Sequence, residues 1–115
     1  MGLDAFVNAK RVVVKVGTST LTHESGQIHI RRIEKLVQVL ADIRNSGREI
    51  ILVSSGAIAV GVGKLHLPQR PADTPSKQAA AAIGQCELMY LYDKLFGEYN
   101  HVVSQVLLTR DILEE

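Results

Sequence analysis

Two short apolar runs with a helical pattern between them constrain this chain more than any other feature. Residues 11–16 (RVVVKV) are dominated by β-branched valine, and residues 49–54 (EIILVS) repeat the type. From Ile30, the apolar positions Ile33, Leu36, Val37, Leu40 and Ile43 fall three, four or seven apart, the signature of an amphipathic helix. Gly47, after Asn45 and Ser46, closes it. Strand, helix and strand in that order form a βαβ unit, whose right-handed crossover makes the strands parallel. The near-continuous apolar character of residues 11–16 predicts a strand buried on both faces of the sheet.

The rest of the chain extends this alternation. Residues 17–29 read as a polar connection. A short helix is expected from Ala57 to about Lys64, followed by a loop punctuated by Pro68, Pro71 and Pro75, where fixed φ and missing donors stop regular structure. Thr74 and Pro75 read as an N-cap and first helical residue, opening a long helix to about Leu95. Its alanines, 79 to 82, predict close packing on a neighbour. Gly84 costs roughly 1 kcal/mol relative to alanine in mid-helix, which fits either close backbone approach or simple tolerance. His101 to Leu108 read as a third strand, and Thr109 with Asp111 as the start of another helix.

Two successive βαβ units specify an α/β fold: a parallel sheet with helices on both faces, in three layers, α/β/α. Three strands leave a long edge unpaired, and a helix beginning near Glu115 has no body. Residues 1–115 are therefore expected to be the N-terminal part of a larger, truncated domain.

Composition narrows the function classes. With 115 residues and 46% hydrophobic content the chain is one domain at most and is not disordered. Thirteen basic against twelve acidic side chains leave a net charge of +1, which gives no electrostatic reason to expect nucleic acid or an anionic membrane as partner. The lone cysteine, Cys86, has no internal disulfide partner and reads as a small buried hydrophobe. No apolar run near the N-terminus is long enough for a signal peptide or membrane span, so a cytoplasmic location is expected. His23, His29, His66 and His101 lack acidic or cysteine partners at ligand spacing and read as solvated, with no metal held by side chains. Tyr90, Tyr92, Tyr99 and Phe96 read as packing residues rather than a base-stacking platform.

The chemistry-bearing residues gather where the strands end. The first strand runs through Lys15 into Gly17, Thr18 and Ser19; the second breaks into Ser54, Ser55, Gly56 and Ala57 before a helix. A lysine beside a glycine turn with hydroxyls behind it suits phosphate, because glycine permits close backbone approach and N–H groups at a helix start attract anions. Ligands of parallel sheets sit at the carboxyl ends of strands, where Lys15, Ser55 and Thr109 all fall. A solvated lysine at a strand end and serines that cap a helix are the plainer readings of the same residues, and Lys77 with Gln78 can simply decorate a first helical turn. A Walker A loop is excluded, since Gly56 and Gly61 have its spacing but Val62 stands where its lysine must be. A dinucleotide fingerprint lacks its third glycine after Gly61-Val62-Gly63.

Four segments in order carry a family resemblance: Val14-Lys15-Val16-Gly17-Thr18-Ser19; Val53-Ser54-Ser55-Gly56-Ala57-Ile58-Ala59; Lys77-Gln78-Ala79 with Ala82-Ile83-Gly84-Gln85; and Gln105-Val106-Leu107-Leu108-Thr109. The chain resembles the first part of the amino acid kinase domain in the glutamate 5-kinase family. The resemblance implies ATP-dependent phosphorylation of the γ-carboxylate of L-glutamate to L-glutamyl 5-phosphate, the start of proline synthesis, with Mg²⁺ bound through the nucleotide. It implies that Lys15 is the catalytic lysine on the transferring phosphate, with Gly17, Thr18 and Ser19 beside it in the phosphate loop. Ser55, with Gly56 and Ala57, would contact glutamate. Ser54 departs from the family's usual threonine but keeps the hydroxyl. The resemblance also implies a homo-oligomer in the full-length enzyme. The second phosphate-stabilising lysine, the further glutamate contacts, the adenine segment and any C-terminal PUA domain come later in that family, so residues 1–115 alone are expected to be inactive. Other amino acid kinases, acting on aspartate, acetylglutamate or carbamate, and a non-catalytic anion- or protein-binding remnant are the alternatives.

Overall fold

The computed structural model describes residues 8–106. Six elements follow in order: β1 (Arg11–Val16), α1 (Thr18–Leu21), α2 (Ile30–Asn45), β2 (Glu49–Ser54), α3 (Ala57–Leu65) and α4 (Thr74–Gly97). The strands pair in parallel, Arg11 with Glu49 through Lys15 with Val53 and Val16 with Ser54. An exposed ion pair of 2.8 Å between Arg11 Nε and Glu49 closes the start of the ladder.

Alternation along the strands decides where the core lies. Val12 and Val16 are buried, and Val14, Ile50 and Leu52 pack onto a cluster built from Ile33, Val37 and Leu40 of α2, Val60 of α3, and Leu88, Tyr92 and Phe96 of α4. On the opposite face Val13 is 61% exposed and Ile51 and Val53 are 45% exposed. The expectation that residues 11–16 are buried on both faces is thus corrected, because the described helices supply one covering layer. The α/β class with a parallel sheet stands, and among the described residues the second face is uncovered.

The connection 17–29 is more structured than its polarity suggests. Leu21, at the end of α1, is fully buried. Thr22 and Ile28 then form an antiparallel bridge, and the His23 N–H donates to the Gln27 carbonyl at 2.9 Å, making a small hairpin. Burying one leucine contributes roughly 1.5–3 kcal/mol toward holding this segment over the core edge, beside the hairpin's own hydrogen bonds. From there α2 runs on the expected periodicity, and Gly47 closes it at φ +100°, where a side chain would be strained.

Small residues set the crossing of α3 and α4. A Cβ at Gly84 would collide with the Ala57 carbonyl, and one at Gly61 with the Ala80 carbonyl. Close approach therefore explains Gly84, and Ala80 is fully buried in the alanine-rich stretch expected to pack. The cap of α4 is Asp73 rather than Thr74: its carboxylate accepts from the Ser76 N–H at 3.0 Å, placing Pro75 in the first turn. The Ser76 side chain first, and then this N–H bond, hold the Asp73 carboxyl below its ordinary range. A carboxylate reaching the third amide outcompetes the neighbouring threonine for this role.

Three further expectations change. Residues 101–106 form no strand, with Val102 96% and Val106 78% exposed, although Val103 packs at the core edge. Apolar content predicts a strand only where a ladder partner is present, and among the described residues the sheet is two-stranded. Leu107, Leu108, Thr109 and Asp111 lie outside the described residues. Cys86 is exposed on α4 rather than buried. Of the aromatics, Tyr92 and Phe96 are core, their rings 6.3 Å apart, whereas Tyr90 and Tyr99 are exposed.

Candidate active site

The parallel register brings the predicted residues to one end of the sheet. Lys15 lies opposite Val53, one residue before Val16 pairs with Ser54. Ser55 then turns back onto β1, its N–H and its Oγ both donating to the Val16 carbonyl at 3.2 Å. Since that hydroxyl spends its proton internally, its lone pairs are left for an incoming donor such as an ammonium group.

The two turns touch. Gly56 has φ +97°, and a Cβ there would stand 3.1–3.4 Å from atoms of Thr18. A glycine is needed at this junction for its backbone and for its missing side chain. It precedes α3, whose first-turn N–H groups have no intrahelical acceptor and carry the positive end of the helix dipole. Gly17 precedes α1 in extended conformation, with the Thr20 N–H donating to its carbonyl at 3.2 Å. Gly17, Thr18 and Ser19 are exposed, while Gly56 and Ala57 are half-buried. Lys15 is exposed on the open face with Val13, and makes no hydrogen bond or ion pair among the described residues. The result is an uncommitted cation beside two adjoining turns, an arrangement suited to holding an anion.

Three residues support these turns: Arg32, which the sequence did not single out, and Tyr92 and His29, which it read as a packing residue and as a solvated histidine. Tyr92 Oη lies 3.0 Å from Ser54 Oγ, tying the end of β2 to α4; burial pushes the Tyr92 hydroxyl pKa up, and the Ser54 bond offsets part of this. Arg32 Nη1 donates to the Ser19 carbonyl at 3.0 Å. His29 caps α2, its Nδ1 accepting from the Arg32 N–H at 3.4 Å, and stacks on His23 with ring centroids 4.2 Å apart. These two histidines are thus structural partners, not merely solvated. Contacts across 13 and 38 residues leave no local pattern to read, although His29 immediately before the first periodic residue was a legible cap position.

Concave surface is found elsewhere as well: a shallow groove of about 530 Å³ lined by Ile30, Arg31, Glu34, Lys35, Gln38 and Tyr99, and one of about 470 Å³ at the opposite end of the sheet, lined by Lys10, Arg11, Gly47 and Glu49. Both are wide open. Neither gathers a glycine turn, a helix start and a free cation, so the strand ends remain the candidate site.

Comparison with known proteins gives the family. The model of the amino acid kinase family matches residues 10–115. The chain belongs to that family. It is 63% identical over 110 residues to a glutamate 5-kinase of Clostridium perfringens, covering 96% of this chain and 41% of the relative. It is 59% identical over 111 residues to a glutamate 5-kinase of Listeria welshimeri, covering 96% and 40%, and 55% identical over 106 residues to one of Clostridium acetobutylicum, covering 92% and 40%. The chain thus spans about two-fifths of the length of these amino acid kinase relatives. Among the described residues no helix is long and apolar enough to cross a membrane.

Proposed function

We propose that this chain supplies the phosphate-side and substrate-side strand ends of a glutamate 5-kinase, transferring the γ-phosphoryl group of ATP to the γ-carboxylate of L-glutamate to give L-glutamyl 5-phosphate. The observation that carries the reading is the junction of the Gly17 and Gly56 turns at one sheet end beside the unpaired Lys15. Glutamate is favoured over aspartate, acetylglutamate or carbamate because the relatives at 55–63% identity are named glutamate 5-kinases.

An ionised γ-carboxylate is already a nucleophile at neutral pH, so the barrier is repulsion between anions and loss of alignment. Lys15, a mobile point charge at the strand end, would follow charge as it builds on the transferred phosphoryl oxygens. The Gly17-Thr18-Ser19 turn and the start of α3 would hold phosphate oxygens through backbone N–H groups. Ser55, with acceptor lone pairs outward, fits the α-ammonium of the amino acid, and Gly56 with Ala57 offers backbone beside it. Mg²⁺ would enter on the triphosphate, where it neutralises charge. A cytoplasmic homo-oligomer completes the reading.

Steady-state kinetics of the full-length enzyme test it. Lys15→Ala should lower turnover about 10²–10³-fold with little change in the KM for glutamate, as for loss of one transition-state donor. Ser55→Ala should mainly raise the KM for glutamate. Equal losses in both parameters for both variants would contradict the assigned roles. Residues 1–115 alone should release no ADP in response to glutamate; a glutamate-dependent rate would mean the site lies elsewhere.

A further inference from the structure

The geometry points to Arg32 as a positioning residue for the Gly17-Thr18-Ser19 turn, with a hold that depends on His29 being neutral. The inference rests on the reading of that turn as the phosphate side of the site. Two bonds pin α1 to the start of α2: the Arg32 guanidinium donates to the Ser19 carbonyl at 3.0 Å, and the His29 backbone N–H donates to the Leu21 carbonyl at 2.7 Å. A charge-assisted bond fixes the Ser19–Thr20 peptide plane, so its carbonyl cannot swing toward an approaching anion.

The same two residues are joined to each other. His29 Nδ1 accepts from the Arg32 backbone N–H, which requires a neutral imidazole carrying its proton on Nε2. Protonation turns that acceptor into a donor and sets a cation against Arg32, Arg31 and the stacked His23 ring. The charged and titratable groups acting on His29 are His23 from the hairpin and Arg31 and Arg32 from α2, and none is acidic. Desolvation comes first and these neighbours next in holding the His29 pKa below 6.5. A base with a lowered native pKa contributes its stabilisation fully above its unfolded value, and loses it as pH falls through the native one. Acid should therefore loosen the cap, release Arg32 and free the turn.

Hydrogen exchange in the full-length protein, expressed as protection relative to unstructured peptide at each pH, reads this directly. Arg32→Ala should lower protection of amides 18–22 by about three- to tenfold, the range of one net hydrogen bond, while the β1–β2 ladder and α4 keep theirs. Arg32→Lys should restore part of it. In the unmodified protein the same amides should lose protection as pH falls below 6.5 and through the lowered native pKa of His29, and His29→Asn, which caps without titrating, should flatten that profile. Unchanged protection in Arg32→Ala, or a pH loss that persists in His29→Asn, would overturn the proposal. Inorganic tripolyphosphate binding by Lys15→Ala, measured alongside, reports on the phosphate site itself. Unaltered binding there would count against the site reading without touching the exchange result.

Discussion

Ser54 and Ser55 are adjacent and chemically alike, yet they do different work. Ser54 faces the helices and shares a hydrogen bond with Tyr92, while Ser55 bonds back to β1 at the exposed rim. Tyr92→Phe removes one partner of a part-buried pair, so stability should fall by about 0.5–1.5 kcal/mol, and Ser54→Ala should add little more in a double-mutant cycle. Denaturant unfolding of the four proteins checks this; additive losses would show that the two hydroxyls do not act as a pair. The sequence pointed to Lys15, Gly17 and Ser55 because strand ends and glycine turns are local patterns. It was silent on Arg32 and read Tyr92 only as a packing residue, and what both do depends on whom they meet across the fold.

At the scale of elements, local signals located both strands and three helices to within a few residues: apolar runs for the strands, periodicity for α2, and glycine, proline and capping residues for α3 and α4. What they missed depended on neighbours. Leu21 joined the core because a hairpin folds it there, and residues 101–106 lack the partner that would make them a strand. The α3–α4 crossing shows the same dependence from the other side: intrinsic propensity favours Gly84→Ala by roughly 1 kcal/mol, but the Ala57 carbonyl occupies the space a methyl needs. The net effect should be a loss of about 1–3 kcal/mol, as for other overpacked interiors, with α3 displaced and Ser55–Ala57 carried with it. Thermal unfolding would expose the sign, and a stabilised variant would mean that the helices separate freely.

For the whole molecule, the open face of the sheet sets behaviour in solution. Val13, Ile51 and Val53 form an apolar strip beside Lys15, and among the described residues no further strand pairs with the ladder. Such a surface favours association. Residues 1–115 should therefore sediment as a concentration-dependent mixture, and Ile51→Lys, which puts charge in the middle of the strip, should shift it toward monomer. Sedimentation velocity at several concentrations would decide, a monomer at all of them arguing that the strip is inert. Alternation of burial along β1 was not legible beforehand, because a run of valines looks the same whether one face or both are covered.

One small contact has a mechanical consequence. The tip of the hairpin rests on α3, where Gln27 Nε2 donates to the Gly63 carbonyl at 2.8 Å and Gly26 leaves no room for a Cβ. At the other end of the same assembly Ser55 is fastened to Val16. The chain from β1 through the hairpin to α3 and back is thus braced at two points, like a truss. Displacing α3 should therefore be felt at both braces, at the hairpin tip and at the end of β1.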